Sequence, residues 1–195
     1  MTNFIEMLKN RRSVYALNKI SPVFDKKIIE MITDCTRYTP DAFNMHSQRI
    51  VIVMGDKNTD FWNNVYNAVS TESGGKFSRE KTDSFAAGIG TILYFYDSAV
   101  VENMQKQYPL YANNFHDWVM QSNGMLQFAI WTGLSTLGIG ASLQHYNPII
   151  DNMVHNMFNL PQNWTLVAQM PFGGIGATLE PKPIEDLSRR IKIES

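Results

Sequence analysis

Residues 114–137 form the longest stretch of the chain whose pattern is compatible with a helix, and this stretch most constrains the fold. Its bulky apolar side chains fall on more than one face, and Gly124 and Gly133 would let a neighbouring segment approach closely. A helix that is apolar nearly all round is typical of the centre of a domain or of an interface between subunits. The other elements are therefore expected to pack around this helix.

Shorter periodic segments predict further helices and three strands on both sides of the long helix. Recurring apolar residues, with candidate N-caps at Asn3 and Asp25, predict helices over residues 3–12, 25–39, 61–69, 79–85, 99–108 and 149–158. Short apolar or β-branched runs predict strands over residues 50–54, 91–96 and 164–170. The glycine-rich residues 172–176 are expected to end the last strand.

Composition excludes several classes of protein. The 195 residues suffice for one domain, residues 1–195, and a hydrophobic fraction of 44% argues against disorder. The net charge of -1 argues against a nucleic-acid partner. A single cysteine, Cys35, excludes an intramolecular disulfide and a cysteine-based zinc site, and its helical spacing places it in the core. Without a signal-peptide pattern or 18 consecutive apolar residues, the protein is expected to be soluble and cytoplasmic, with no membrane partner.

Familiar nucleotide-binding and catalytic motifs are absent from the sequence. Gly138 and Gly140, like Gly174 and Gly176, do not complete the G-x-G-x-x-G pattern of a Rossmann site, and neither a Walker A nor a G-x-S-x-G motif occurs. The four histidines are scattered without metal-binding spacing, so no metal site is expected.

Two arginines and a serine stand where the first predicted helix ends, in the order Arg11-Arg12-Ser13. A guanidinium presents a planar fork of N–H donors that matches phosphate oxygens, so the segment suits a phosphate group. The alternative is that both arginines are solvated and interact with the negative end of the helix dipole.

Two polar segments predict ligand contacts elsewhere. Residues 39–48 break the helical period and would present Asn44, His46 and Gln48 on one loop. Gln144 and His145 lie in a turn after the long helix. For His145, a hydrogen-bonded, partly buried structural role is the alternative.

Several segments occur in a fixed order along the chain: Arg11-Arg12-Ser13-Val14, Thr39-Pro40-Asp41-Ala42-Phe43-Asn44, the long apolar helix, Pro171-Phe172-Gly173 and a late Arg-Arg-Ile-Lys. In this order they resemble the FMN-dependent nitroreductase family over nearly the whole chain. Residues 143–148 are similar to a short subgroup of the family that includes copper-induced bacterial members and fungal fatty-acid-repression members.

The resemblance implies which residues hold the cofactor. Arg11 and Ser13 would contact the FMN phosphate and ribityl chain, with help from the backbone or side chain of Arg12. Arg190, in the C-terminal tail, would supply a second guanidinium to the phosphate.

The flavin ring would be contacted by other segments. Gln144 and His145 would lie along the ring, and Gly173 and Gly174 would allow close backbone approach. The family commonly has Pro-Ser-x-x-Asn-Ser-Gln in the earlier loop; Asn44 matches the asparagine, whereas His46 stands in place of the glutamine.

The resemblance also implies an α+β fold, in which a mixed, mainly antiparallel sheet is flanked by helices and the long helix lies at a homodimer interface. Each FMN site would draw on both subunits. NAD(P)H would reduce the flavin at N5, and a nitroaromatic or quinone-type acceptor would reoxidise it in a ping-pong sequence, so no catalytic side chain is expected.

Four aromatic residues could line the open face of the flavin, although aromatic residues are more often in the core. They are Tyr66, Phe85, Tyr94 and Tyr111.

The alternative function is a flavin-binding regulatory or sensing protein with little turnover. Two departures from the family pattern motivate it: Tyr15 replaces a usual basic residue, and His46 replaces the glutamine.

Overall fold

The computed structural model of this protein describes residues 3–194, which form seven α-helices and five strands. Its elements are α1 (Phe4–Asn10), β1 (Leu17–Asn18), α2 (Asp25–Tyr38), β2 (Gln48–Met54), α3 (Asp56–Glu72), α4 (Arg79–Ala86), β3 (Gly90–Asp97), α5 (Ser98–Gln107), α6 (Phe115–Thr136), β4 (Gly140–Ala141), α7 (Asp151–Phe158) and β5 (Trp164–Ile175). Short 3₁₀ helices at Ala42–Asn44 and Pro109–Asn114 complete it. Within residues 3–194, no helix is both long and apolar enough to cross a membrane.

The sheet has the strand order β1-β5-β3-β2, and β4 also pairs with β5. All of these pairs are antiparallel, and one isolated parallel bridge joins Ser13 to Ala141. The predicted α+β fold with a mainly antiparallel sheet is thus confirmed.

The sheet separates two hydrophobic clusters because successive side chains of a strand point to opposite faces. From β3, Leu93 and Phe95 enter a cluster with α3, α4 and α7, whereas Ile92 and Tyr94 enter a cluster with α2 and α6. Helices therefore cover both faces of the central strand, which explains why β3 is buried along almost its whole length.

The long helix α6 has one buried side and one exposed apolar side. Leu126, Ile130 and Leu134 are buried in the cluster with α2. The opposite side exposes four residues that we call the α6 apolar face: Met120, Gly124, Met125 and Phe128.

The predicted helices are all present, but several bounds and strands differ. The strand predicted over residues 164–170 continues to Ile175, because Gly173 pairs with Gly140 of β4 and Gly174 pairs with Asn18 of β1. Neither β1 nor β4 was predicted, since two residues are too few to show a period. Asp25 is the first residue of α2 and not its N-cap, which is Phe24.

Candidate functional site

The C-terminal end of α1 places Arg11 against the long helix. Asn3 caps α1 by accepting a hydrogen bond from the backbone N–H of Ile5 at 3.1 Å, and the helix ends because Arg11 is extended (φ -66°, ψ 128°). The Arg11 Cζ atom then lies 4.3 Å from the ring centroid of Trp131 in α6. This cation–π contact fixes the direction of the guanidinium group.

Arg11 carries an unsatisfied donor. Its Nη1 atom is buried and has no hydrogen-bond partner among the described residues. Partial burial also lowers the pKa of Arg11 from its usual value. Because buried polar groups are nearly always hydrogen-bonded, this nitrogen points to an acceptor that residues 3–194 do not provide.

Two further cations lie beside Arg11. Lys182 Nζ, from the C-terminal tail, donates to the carbonyl oxygens of Arg11 and Leu8. Burial lowers the pKa of Lys182, and the positive charges of Arg11 and Arg12 lower it further. Within residues 3–194, none of these three cations forms a salt bridge. We call Arg11, Arg12 and Lys182 the cation cluster; it can bind an anion.

The predicted segments around Ser13 and Gln144 adjoin the cation cluster. Ala141 O accepts from the backbone N–H of Val14 at 2.9 Å and from Trp131 Nε1 at 3.2 Å, beside the bridge between Ser13 and Ala141. The chain between Arg11 and Val14 is thereby joined to the start of the segment that carries Gln144.

Gln144 and His145 differ in exposure. Gln144 is buried, its backbone pairs with Gln169, and its Nε2 donates to Ser142 Oγ at 3.1 Å. His145 is exposed, so the partly buried structural role considered as its alternative is wrong.

Two predicted cofactor-binding glycines are explained by the packing of the chain itself. A Cβ atom on Gly173 would lie 2.6 Å from Asn18 O, and one on Gly174 would overlap Ile20 O. The backbone of residues 18–20 thus packs directly against Gly173 and Gly174. Contact of these two glycines with a cofactor stays a prediction.

Within this chain, Arg190 forms a salt bridge with Glu185 and not a contact with the cation cluster. Its Nη1 lies 2.6 Å from Glu185 Oε2, and both side chains are exposed. The phosphate contact of Arg190 stays a prediction, whereas Lys182 is the tail cation that lies beside Arg11 and Arg12.

The loop between α2 and β2 exposes Asn44 and His46 as predicted. Both have a left-handed backbone, with φ of 53° and 52°. Gln48 is directed elsewhere, because its Nε2 donates to Ser47 Oγ at 3.0 Å and to Val119 O at 3.2 Å. The expectation that Gln48 lies with the other two is therefore wrong.

The loop and the cation cluster contact different sides of α6. Ser122 Oγ accepts from the backbone N–H of Ala42 in the loop at 3.3 Å, while Trp131 contacts Arg11. The separation of Ser122 and Trp131 corresponds to about 13 Å along the helix axis and about two and a half turns, so they lie on opposite sides. Within one chain, the two halves of the predicted site therefore lie apart along α6.

The four aromatic residues considered for the open face of the flavin differ in burial. Phe85 and Tyr94 are fully buried, so for these two residues the core position is confirmed and the open-face position is wrong. Tyr111 is 43% exposed and belongs to an aromatic group with Phe43 and Trp118. Tyr66 and Arg79 form a cation–π pair on the surface of α3 and α4.

Comparison with known proteins identifies related sequences and structures. A model of the Nitroreductase family matches residues 8–174. The sequence is 30% identical over 182 residues to nitroreductase FRM2 of Saccharomyces cerevisiae, which covers 92% of this chain and 92% of that protein.

The fold matches that of nitroreductase CinD from Lactococcus lactis. The CinD complex with nicotinic acid gives a TM-score of 0.94 at 40% identity, covering 99% of this chain and 100% of that chain. The CinD complex with 4-nitrophenol gives 0.92 at 40% identity over the same shares of both chains. The family resemblance seen in the sequence is therefore confirmed.

Proposed function

The chain belongs to the nitroreductase family, and on this premise we propose that it is an FMN-dependent enzyme that transfers electrons from NAD(P)H to nitroaromatic or quinone-type acceptors. Family membership and fold support the more general role of an oxidoreductase. The more specific proposal depends on whether the residues present fit FMN.

The cation cluster is the observation that carries the proposal. A phosphate monoester has a charge of about -2 near neutral pH and accepts strong charge-assisted hydrogen bonds. Arg11 offers a buried nitrogen without a partner, and Arg12 and Lys182 add positive charge that no carboxylate neutralises within residues 3–194. These residues fit the phosphate of FMN.

The remaining residues would bind and orient the cofactor. An isolated β-bridge pairs Ser13 with Ala141. From this position the Ser13 hydroxyl would contact the ribityl chain, which links the phosphate of FMN to the flavin ring. His145 lies four residues after Ala141, and its exposed ring could donate a hydrogen bond to the flavin. FMN, when bound, supplies hydride acceptance from NAD(P)H and electron transfer to the acceptor, in two half-reactions.

We propose that the site is completed by a second copy of the chain. In a two-fold dimer that buries the α6 apolar face, the loop of one protomer, with Asn44 and His46, would approach the cation cluster of the other. Support comes from the position of these two halves on opposite sides of α6. The exposed Ile184 and Ile191 of the tail offer further apolar surface to a partner subunit.

The acceptor class is supported by the CinD complexes. CinD binds 4-nitrophenol, chloramphenicol and nicotinic acid, which all contain a planar aromatic ring. In this chain, the half-exposed rings of Phe43 and Tyr111, next to the loop that carries Asn44, offer a surface for such a ring.

Steady-state oxidation of NADH and NADPH with 4-nitrophenol or a benzoquinone as acceptor tests the proposal. We expect turnover by FMN-loaded protein and parallel lines in double-reciprocal plots, since donor and acceptor would use the site in turn. Negligible turnover by fully FMN-loaded protein would contradict the proposed enzymatic activity and favour a flavin-binding sensor. The exposed Tyr15, which stands in place of a usual basic residue, is consistent with that alternative.

A further inference from the structure

The carboxylate of Asp41 joins both ends of the loop that follows it. Asp41 Oδ1 accepts from the backbone N–H of Ala42 at 2.8 Å. Asp41 Oδ2 accepts from the backbone N–H of Ser47 at 2.6 Å and from the Ser47 hydroxyl at 2.7 Å. Three hydrogen bonds to one carboxylate thus close a ring over residues 41–47, and bonds to a charged acceptor belong to the stronger class.

The backbone inside this ring is strained. Phe43, Asn44 and His46 have φ values of 53°, 53° and 52°, a region that residues with a side chain seldom occupy. Such conformations persist only where the surrounding structure holds them, and they cluster at functional sites. The bonds of Asp41 to residues 42 and 47 enclose all three strained residues.

The ring is anchored to the interior. Ser47 is fully buried, and its Oγ accepts from Gln48 Nε2 at 3.0 Å. Gln48 Nε2 also donates to Val119 O at 3.2 Å, and Gln48 Oε1 accepts from Asn123 Nδ2 of α6. The base of the loop is therefore fixed to α6, while its tip remains exposed.

We infer that Asp41 is a positioning residue, which holds Asn44 and His46 in the strained conformation that presents them to the flavin. The inference rests on the proposed function, in which the flavin is the common ligand of these two exposed side chains. A loop held in advance needs no reordering when the ligand binds. The alternative is that Asp41 only caps the short 3₁₀ turn, with no effect on the chemistry.

Asp41→Ala, Asp41→Asn and Ser47→Ala test the inference, with Asp34→Ala as the matched control on the exposed side of α2. The first readout is amide hydrogen exchange over residues 42–47 in the flavin-free protein. We expect exchange to rise by at least about tenfold in Asp41→Ala, less in Asp41→Asn and Ser47→Ala, which keep some of the bonds, and not at all in Asp34→Ala.

The second readout is the flavin itself. In FMN-loaded Asp41→Ala, we expect a shifted visible absorption spectrum and a kcat lower by at least about tenfold, with KM for the acceptor within about twofold, because misplaced groups affect the reaction more than binding. A role limited to capping the turn would move neither the spectrum nor kcat.

The outcomes are distinguishable. Unchanged hydrogen exchange in folded Asp41→Ala and Ser47→Ala would show that the hydrogen bonds of Asp41 do not hold residues 42–47, and would overturn the inference. Faster exchange with an unchanged flavin spectrum and kcat would overturn the positioning role but leave the enzyme intact. If Asp41→Ala does not fold, Asp41→Asn and Ser47→Ala give the same comparison. Wild-type protein that binds no FMN would refute the proposed function, and with it the positioning role, whatever the exchange data show.

Discussion

Replacing Arg11 by methionine should separate FMN binding from protein stability. Methionine keeps apolar contact with Trp131 but removes the guanidinium whose Nη1 lacks a partner. A hydrogen bond to a charged group contributes about 1.5–3 kcal/mol, so the Kd of FMN should rise by about 10- to 150-fold. The free energy of unfolding of the flavin-free protein should change by less than about 1 kcal/mol, because loss of a cation–π contact is offset by reduced repulsion with Lys182.

Fluorescence titration of flavin-free protein with FMN and with riboflavin is the assay. Riboflavin lacks the phosphate, so its affinity should be the same for wild type and Arg11→Met. Arg37→Met is the matched control, because Arg37 also lies over an aromatic ring, that of Tyr38 at 5.8 Å, but on an exposed surface. Equal losses of FMN and riboflavin affinity, or no loss of either, would refute the assignment of Arg11 to the phosphate.

Three further predictions concern stability and assembly. Tyr146→Phe should raise the free energy of unfolding near neutral pH by about 1 kcal/mol in urea denaturation, because it removes a buried hydroxyl that has no partner within the described residues. Burial raises the pKa of Tyr146 to about 12 from 10, so its contribution to stability, complete below pH 10, should be lost as the pH rises towards 12. The fall in stability over this range should therefore be smaller in the phenylalanine variant, where buried Tyr94, whose pKa is also raised, still contributes. Gly173→Ala should destabilise the protein by about 1–3 kcal/mol, since the new Cβ would lie against Asn18 O; a stability equal to wild type would contradict the tight packing. In sedimentation, wild type and a Phe24→Glu control should be dimers and Phe128→Glu should be monomeric; a monomeric wild type that still binds FMN would contradict the interface.

Periodicity and local chemistry were enough to predict the helices, the central strands and the position of Arg11. Apolar residues at helical spacing located α2 and α6, and the candidate N-cap Asn3 located the start of α1, although this helix ends at Asn10 and not at residue 12. These features are local, so the sequence carries them directly.

Features that depend on distant contacts could not be read from the sequence. Lys182 reaches the Arg11 carbonyl across 171 positions, and no local pattern marks it. Gln48 has the same polar appearance as Asn44, but a partner in α6 turns it inward. Phe85 and Tyr94 are aromatic like Tyr111, and only the packing of the sheet decides that they are buried.

The visible absorption spectrum of the purified protein, followed by release and identification of the chromophore, tests the central claim most directly. We expect the bands of an oxidised flavin, release of FMN, and loss of these bands when NADH or NADPH is added without oxygen. A colourless protein that also fails to bind added FMN would contradict the account, because the cation cluster would then serve some other anion.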